Sequence, residues 1–274
     1  MSKFEVNDNQ LHTMKQKPTI LIPFDFSKTS KKALDYAVHY VGQDAKLKIV
    51  LAHISESNDM DMAREAFKGI EQEYAKILKN KIEWMVINGT LTESLVKIQK
   101  EEQIDLIIMG TFGAFDKEDS TPTNTSKLVL EIDCPVLVVP FTSDKLQIER
   151  IGLVLGKEEI EDKRVLDTLL RVARRFNAKV YVITVQNSQE TYGYSPADEK
   201  NENTLEYYLE SFYSEHVFVE NPDVVKGVLD YASKNELDMI AILPRNHVQK
   251  SEPSKGELTE MLTLHSHIPV LAID

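Results

Sequence analysis

Two patterns of apolar and polar residues alternate along the chain. Short apolar runs have the length of buried β-strands, and the longer stretches between them have apolar residues at the spacing of an amphipathic helix. The first such stretch follows Ser27, a residue type that caps helix N-termini, and its apolar residues are Ala33, Leu34, Ala37, Val38 and Val41. Strands that alternate with helices predict a parallel sheet covered by helices on both faces.

Both halves of the chain show this alternation. In the first half the predicted strands are Thr19–Pro23, Leu47–His53, Glu83–Ile87, Leu106–Met109 and Val136–Pro140. In the second half they are Ile151–Leu155, Lys179–Val185, Glu215–Val219, Met239–Leu243 and Pro269–Ile273. Thr90 with Glu93 predicts a capping box at one helix start, and Asn221 followed by Pro222 predicts another helix start.

Residue matches between the halves indicate an internal duplication. The matched pairs are Ile22 with Val154 (offset 132), Asp105 with Asp238 (133), and Pro135–Leu137 with Pro269–Leu271 (134). An offset that drifts by so little over a whole domain predicts two tandem copies. We therefore expect a mobile N-terminal segment at 1–17, a first domain at 18–141 and a second domain at 148–274.

The composition narrows the classes of function. The chain has 274 residues, 42% of them apolar, and a net charge of −12. An acidic protein repels a phosphate backbone, so we expect no nucleic-acid partner. The single cysteine forms no intrachain disulfide, and no stretch approaches the roughly 18 apolar residues that span a bilayer. These features predict a cytoplasmic protein with no membrane contact.

Four segments, in order, carry a resemblance to a known family. They are ILIPFDFSKTSKKALDYAV at 20–38, the strand and turn at Val86–Gly89, IDLIIMGTFG at 104–113, and CPVLVVP at 134–140. Together they resemble the universal stress protein family, and both halves follow the pattern. The resemblance implies, for each half, an open five-stranded parallel sheet of strand order 3-2-1-4-5 with helices on both faces. It also implies frequent dimers and, in some members, ATP binding.

The nucleotide motif of this family is only half present. Its pattern is Gly-x2-Gly-x9-Gly-Ser/Thr, in which glycines let backbone amides approach phosphates. The first part stands as Gly110-Thr111-Phe112-Gly113, but Pro122 takes the later glycine position and Thr123 the hydroxyl position. Pro122 has no N–H to donate, and the acidic loop before it calls for Mg²⁺ to offset the charge of a triphosphate. Alternatively, Gly110 and Gly113 only form a turn at a strand end.

The resemblance implies a nucleotide site in the first half. Asp25 follows the first strand, at the edge where open α/β sheets bind ligands, and the family uses this position to contact the adenosine portion. Ile54 corresponds to the lining of the adenine pocket. The alternatives are that Asp25 stabilises a turn and that Ile54 belongs to the core. The predicted nucleotide-binding residues are Pro23, Asp25, Ile54, Met109, Gly110, Gly113, Thr123 and Thr125.

The second half lacks these residues. The offset places Lys157 opposite Asp25, Leu243 opposite Gly110 and Asn246 opposite Gly113. This half is therefore expected not to bind ATP in the family manner and to serve as a structural or docking partner. Its basic residues at this edge form either a small anion site or a solvated surface; they are Lys157, Arg245, His247, Lys250 and Lys255.

Two functions stay open at this point. The first is a stress-response regulatory protein that binds ATP or a related adenine nucleotide, with Mg²⁺, in its first half, without appreciable turnover. The second is a non-nucleotide interaction scaffold or a binder of a small apolar ligand, which Pro122 and the acidic loop favour. No metal site is predicted, because the seven histidines show no ligand spacing. The sequence does not identify a protein partner.

The edges of the two predicted sheets indicate how the halves meet. In the order 3-2-1-4-5 the last strand is an exposed edge, and in the family it pairs between subunits. Here Val136–Pro140 and Val270–Ile273 can pair within one chain and so cover each other's edge. We expect an intrachain pseudo-dimer, while association of two chains into a homodimer stays open.

Overall fold

The computed structural model describes residues 17–55, 60–114, 124–156, 159–160, 163–188, 193–243 and 257–273. All but the last residue of the predicted N-terminal segment lie outside these ranges. The strands are β1 (Thr19–Pro23), β2 (Lys48–Ser55), β3 (Glu83–Asn88), β4 (Ile104–Thr111), β5 (Val136–Pro140), β6 (Arg150–Val154), β7 (Lys179–Gln186), β8 (Tyr213–Glu220), β9 (Met239–Ile242) and β10 (Val270–Ala272). The helices are α1 (Lys28–Val41), α2 (Met60–Tyr74), α3 (Leu91–Glu101), α4 (Asn124–Glu131), α5 (Val165–Phe176), α6 (Pro196–Leu209), α7 (Val224–Lys234) and α8 (Glu257–His265).

All of these strands belong to one sheet. Their order is β3-β2-β1-β4-β5-β10-β9-β6-β7-β8. Neighbours are parallel throughout, except that β5 and β10 run antiparallel with Leu137 opposite Leu271. Each half therefore has the strand order 3-2-1-4-5, which confirms the predicted fold class. The predicted pairing of the two last strands within one chain is confirmed as well.

The core lies on both faces of this sheet. Successive residues of β1 point to opposite faces, so Ile20 and Ile22 join one apolar cluster and Leu21 joins the other. The first cluster lies under α1, α2, α5 and α6, and the second lies under α3, α4, α7 and α8. Each cluster contains residues of both halves, so the two copies share their hydrophobic core rather than folding around separate ones.

Backbone hydrogen bonds fix the correspondence between the copies and correct two predicted matches. The amide of Phe24 donates to Ala52 at 2.8 Å, and the amide of Leu155 donates to Ile183 at 3.0 Å, which gives an offset of 131 at this strand. Ile22 therefore corresponds to Leu153, and the predicted match with Val154 is wrong by one residue. By the same offset, Asp25 corresponds to Gly156 and not to Lys157.

Further along the chain the offset increases, as the sequence predicts. The amide of Ile107 donates to Pro135, and the amide of Ile240 makes the same bond to Pro269, both at 2.9 Å. These pairs give offsets of 133 and 134. The correspondence thus drifts upward from the first strand to the last, and hydrogen bonds repeated at every stage support a duplicated architecture.

One matched pair of aspartates performs the same structural task in both halves. Asp105 Oδ2 accepts the amide of Thr19 at 2.9 Å, at the start of β1. Asp238 Oδ2 accepts the amides of Glu149 and Arg150 at 2.7 and 2.9 Å, at the start of β6. These carboxylates satisfy strand amides that no neighbouring strand reaches. The match at offset 133 therefore reflects a shared structural role.

Helix starts agree with the sequence at one position and differ at two. The Ser27 hydroxyl accepts the amide of Ser30, so Ser27 caps α1 as predicted. The capping box at Thr90 is wrong, because its hydroxyl donates to the Glu93 carboxylate at 2.7 Å and accepts no backbone amide. In the second half Asp223, rather than Asn221, caps α7. The Asn221 side chain instead accepts the Asp223 amide.

The two halves also meet through side chains. Arg175, near the end of α5, donates to the carbonyls of Tyr40 and Val41 at the end of α1. Its third contact is the Asp44 carboxylate, at 2.9 Å. The last carbonyls of a helix have no intrahelical partner and attract cations. On the other face of the sheet, α4 packs against α8.

Candidate functional site

Most of the predicted site residues meet at one edge of the first half. Strand β1 lies between β2 and β4, so the chain order reverses there, which is where open α/β sheets bind ligands. Pro23 ends β1, Ile54 lies near the end of β2, and Met109 and Gly110 lie near the end of β4. Asp25 follows β1 at the same edge. The structure therefore brings these predicted residues together at the carboxyl ends of adjacent strands.

Of the two threonines predicted for the site, one lies outside the described residues and the other makes a structural contact. Thr123 lies outside the described residues, as do Pro122 and the acidic loop before it. Thr125 is buried at the start of α4, and its hydroxyl donates to the Gly110 carbonyl at 3.5 Å. That bond ties α4 to the end of β4, so Thr125 has a structural contact at the site.

The Asp25 carboxylate is partly exposed to solvent and also stabilises its own turn. Its Oδ1 accepts the amide of Ser27 at 3.0 Å. Partial burial raises the pKa of this carboxyl, but hydrogen bonds from Ser27 and Ser30 outweigh that effect and leave it below the ordinary value. Asp25 is therefore charged at neutral pH. The turn role and a ligand role are compatible, because the carboxylate retains acceptor capacity toward solvent.

An aromatic wall beside Asp25 was not predicted from the sequence. Phe26 has a φ of +64°, which is uncommon for a bulky residue. Its ring is 41% exposed and lies 5.0 to 5.2 Å, centroid to centroid, from those of Phe24, His53 and Phe67. The signal in the sequence is the pair of phenylalanines that flanks Asp25. The left-handed backbone at Phe26 turns its ring onto this wall.

Gly110 is required by packing. A Cβ at this position would lie 2.0 Å from the carbonyl oxygen of Thr29 and 2.5 Å from its carbon. The backbone of the first turn of α1 therefore rests directly on β4, and only glycine allows this approach. Packing against Thr29 thus explains this glycine without any ligand.

Gly113 combines two reasons for glycine. Its φ of +73° is a conformation that residues with a side chain rarely adopt, and a Cβ would lie 2.9 Å from the carbonyl oxygen of Leu264. The Gly113 amide donates to Thr111 Oγ1 at 3.0 Å, and the Ala114 amide donates to the Leu264 carbonyl at 2.9 Å. Leu264 belongs to α8, so the second half contacts the predicted phosphate loop directly.

In the second half, different residues stand at the carboxyl ends of the corresponding strands. Gly156 corresponds to Asp25, and Leu243 follows β9 at the position that corresponds to Gly110. Neither residue can supply a carboxylate, and Leu243 packs against the apolar core. The residues predicted for an anion site lie outside the described ranges; they are Lys157, Arg245, His247, Lys250 and Lys255.

A cleft of about 360 Å³ lies between the halves at the opposite edge of the sheet, near the amino ends of the strands. Its lining includes His39, Tyr40, Asp44, Gln147, Arg175 and Phe176. The Arg175 guanidinium is already bonded to α1 and to Asp44. This mixed and charged lining does not suit the small apolar ligand that the sequence left open.

No group of three or more His, Cys, Asp or Glu side chains in the described residues could hold a metal ion. Within the same residues, no helix combines the length and the apolar character needed to cross a membrane.

Comparisons with known proteins agree with this architecture. The model of the universal stress protein family matches residues 18–140 and 148–274. No curated protein sequence matches the chain. A universal stress protein structure from Archaeoglobus fulgidus DSM 4304 has 18% sequence identity and a TM-score of 0.68, covering 94% of this chain and 97% of that one.

Two further structures share the fold at low identity. A protein of unknown function from Pseudomonas aeruginosa PAO1 has 15% identity and a TM-score of 0.62, with 93% and 92% of the two chains covered. The cytoplasmic domain of a prokaryotic cation chloride cotransporter has 8% identity and a TM-score of 0.56, with 94% and 96% covered. At these identities the likeness concerns the fold alone. The two family matches show that the chain belongs to the universal stress protein family, with one family domain in each half.

Proposed function

We propose that this stress-response protein is a regulator that binds ATP, or a related adenine nucleotide, with Mg²⁺ in its first half and does not turn it over appreciably. The observation that carries the proposal is the juxtaposition of Asp25, Ile54 and the Gly110–Gly113 segment at the point where the strand order reverses. Among the described residues of the second half, Gly156 and Leu243 stand at the positions of Asp25 and Gly110, so neither that carboxylate nor that glycine is present there. One nucleotide per chain is the expected stoichiometry.

Each residue has a distinct part in this proposal. The charged Asp25 carboxylate accepts hydrogen bonds from ribose hydroxyls. The partly exposed Ile54 supplies apolar surface for the base, with the buried Pro23 and Met109 in supporting positions, and the exposed ring of Phe26 adds aromatic surface beside Asp25. When nucleotide is bound, the amide of Gly113 donates to the phosphates instead of to Thr111. Mg²⁺ bound with the nucleotide supplies positive charge that offsets the triphosphate.

Calorimetric titration of Mg-ATP into nucleotide-free protein tests the proposal. We expect binding at one site per chain, and a marked loss of affinity in Asp25→Asn, because this variant keeps an oxygen for the Ser27 amide but loses the charge. Asp223→Asn is the matched control, since Asp223 also accepts a nearby amide, in the second half. Equal affinities in both variants would show that Asp25 is not part of the site.

Turnover is measured on the same sample. We expect no phosphate release above the rate of Mg-ATP alone, because neither Asp25 nor its neighbours provide an activated nucleophile. Steady release that scales with protein concentration and is lost in Asp25→Asn would instead assign an enzymatic activity to this site.

One observation favours a second candidate, a scaffold that binds proteins and no nucleotide. Gly110 is explained by its contact with Thr29, and the amides of Gly113 and Ala114 already have partners within the chain. A folded protein that gives no heat at high Mg-ATP concentration supports this scaffold and contradicts the nucleotide proposal.

A further inference from the structure

Two backbone amides at the start of the segment that follows β4 donate within the protein. Gly113 donates to the Thr111 hydroxyl at 3.0 Å, and Ala114 donates to the Leu264 carbonyl at 2.9 Å. Each backbone amide has a single hydrogen to donate. A phosphate that approaches these two amides therefore finds both of them engaged, one by the last residue of β4 and one by the other half of the chain.

The contact from the second half comes from the end of a helix. Leu264 lies in the last turn of α8, where carbonyls have no intrahelical partner. The Ala114 amide of the first half donates a hydrogen bond to this carbonyl, across the interface between the two halves. The space is tight, since a Cβ on Gly113 would lie 2.9 Å from the same oxygen. Because α8 packs on α4 of the first half, its position relative to the loop is fixed from a second side.

We propose that two contacts within the chain, one from Thr111 of the first half and one from Leu264 of the second half, restrain nucleotide binding by the first half. The Leu264 carbonyl and the Thr111 hydroxyl compete with phosphate oxygens for the amides of Ala114 and Gly113, so a bound nucleotide and this pair of contacts exclude each other. The inference rests on the proposed nucleotide site and gives its regulation. It assigns the degenerate half a function that needs no ligand of its own.

Competition has a reciprocal consequence. If a nucleotide displaces the Leu264 carbonyl, then any partner that repositions α8 also changes the affinity of the protein for the nucleotide. By reciprocity, the nucleotide changes the affinity of the protein for that partner by the same factor. The end of α8 is therefore the place where nucleotide occupancy in one half is communicated to the other.

Thr111→Val separates competition from simple support of the loop. Thr111 is 5% exposed, and valine has nearly its shape but cannot accept the Gly113 amide. We expect Mg-ATP to bind Thr111→Val about twofold to tenfold more tightly than the unaltered chain, the equivalent of one ordinary hydrogen bond. Thr168→Val is the matched control, because its buried hydroxyl accepts from Arg171 and no loop amide.

The outcomes distinguish this inference from the proposed function. Nucleotide binding that is unchanged or weaker in Thr111→Val overturns the competition and leaves the nucleotide site intact. No binding in either protein removes both. Binding by Thr111→Val alone supports both, since it would show that the intramolecular contacts keep the unaltered site closed.

Hydrogen exchange on the unaltered chain tests the same point without a substitution. We expect Mg-ATP to speed amide exchange in the last turn of α8, because the helix end loses its contact with Ala114. Exchange in α6 serves as the internal reference, since α6 lies in the same half on the opposite face of the sheet from α8. Bound nucleotide with unchanged or slower exchange in α8, relative to α6, contradicts the competition.

Discussion

The two halves share a backbone but differ in the side chains beneath their second helices. Trp84 pairs with Leu51 across β3 and β2, and His216 occupies the corresponding position opposite Val182. Trp84 stacks on Phe67 with ring centroids 5.0 Å apart, and its Nε1 donates to Glu71. The first half thus fills this space with aromatic rings.

The second half places buried polar groups in the corresponding region, beside the leucines of α6 and the ring of Phe218. His216 Nε2 lies 2.9 Å from Thr184 Oγ1, and Asp198 lies nearly fully buried on α6. Asp198 Oδ1 and His216 Nδ1 are buried atoms that have no hydrogen-bond partner among the described residues. Buried polar atoms without partners are costly. The comparison teaches that strand pairing preserved the fold while the interior chemistry of the copies diverged.

The largest expected effect contrasts two glycines in strands of the two halves. Gly110→Ala places a Cβ 2.0 Å from the Thr29 backbone, whereas Gly152→Ala meets only the side-chain ends of Leu237 and Ile183, at 2.6 and 2.8 Å. Side chains can move aside and a helix backbone cannot. We expect Gly110→Ala to lower the free energy of unfolding by more than about 3 kcal/mol and Gly152→Ala by about 1 kcal/mol or less. Urea unfolding followed by circular dichroism measures both, and equal losses would contradict the assigned contacts.

An intermediate effect is expected from the matched aspartates. Asp238 accepts two strand amides and binds Lys145 at 2.5 Å, with its side chain 3% exposed. Asp105 accepts one amide, and its side chain is 35% exposed. We expect Asp238→Ala to cost about 2 kcal/mol and Asp105→Ala about 1 kcal/mol, because buried amides lose a charged acceptor. Thermal unfolding of the two variants ranks them, and the reverse order would mean that the carboxylates are not equivalent supports.

The smallest expected effect is a pH dependence that belongs to the second half. Burial lowers the pKa of His216 below its ordinary 6.5, against the opposing effect of Asp198 and Glu202. The unfolded chain therefore takes up this proton at a higher pH than the folded chain does. Stability is retained above pH 6.5 and falls as the pH drops below that value toward the folded pKa. The lowered pKa of Asp25 acts in a separate window, as the pH approaches 3.8 and falls below it.

Melting temperatures between about pH 7.5 and 5.5 measure this dependence. We expect the slope to flatten in His216→Gln, whereas His265→Gln on α8 keeps it, because His216 is then unaltered. An unchanged slope in His216→Gln would assign the pH dependence to other groups.

The sequence predicted the strands well because buried parallel strands are continuous apolar runs. β1 and β5 have the predicted bounds, and β4 extends beyond the predicted run to Ile104 and Thr111. The offset at β1 was wrong by one residue, since Ile22 matches either Leu153 or Val154 equally well by residue type. Only the hydrogen-bond register separates the two, and it also moves the residue opposite Asp25.

For the candidate site, the sequence identified the strand ends but not the packing contacts that explain which residues stand there. Thr29 and Gly110 touch although they are far apart in the chain, and Leu264 reaches Gly113 from the other copy. No local pattern encodes such contacts, because they depend on how α1 and α8 pack after the sheet has formed. From the sequence, the Gly110–Gly113 segment therefore resembled an incomplete phosphate-binding loop. The structure shows that packing requires glycine at both positions.

The antiparallel pairing of β5 with β10 has a consequence for how the protein behaves on dilution. Separate subunits that pair through this edge strand dissociate as their concentration falls. Here the short linker between β5 and β6 keeps the two halves in one chain, so β5 and β10 have a high effective concentration, on the order of millimolar. The interface between the two halves therefore persists at any cellular abundance. A half produced alone would expose the apolar edge of a fully buried strand and would aggregate or seek a second copy.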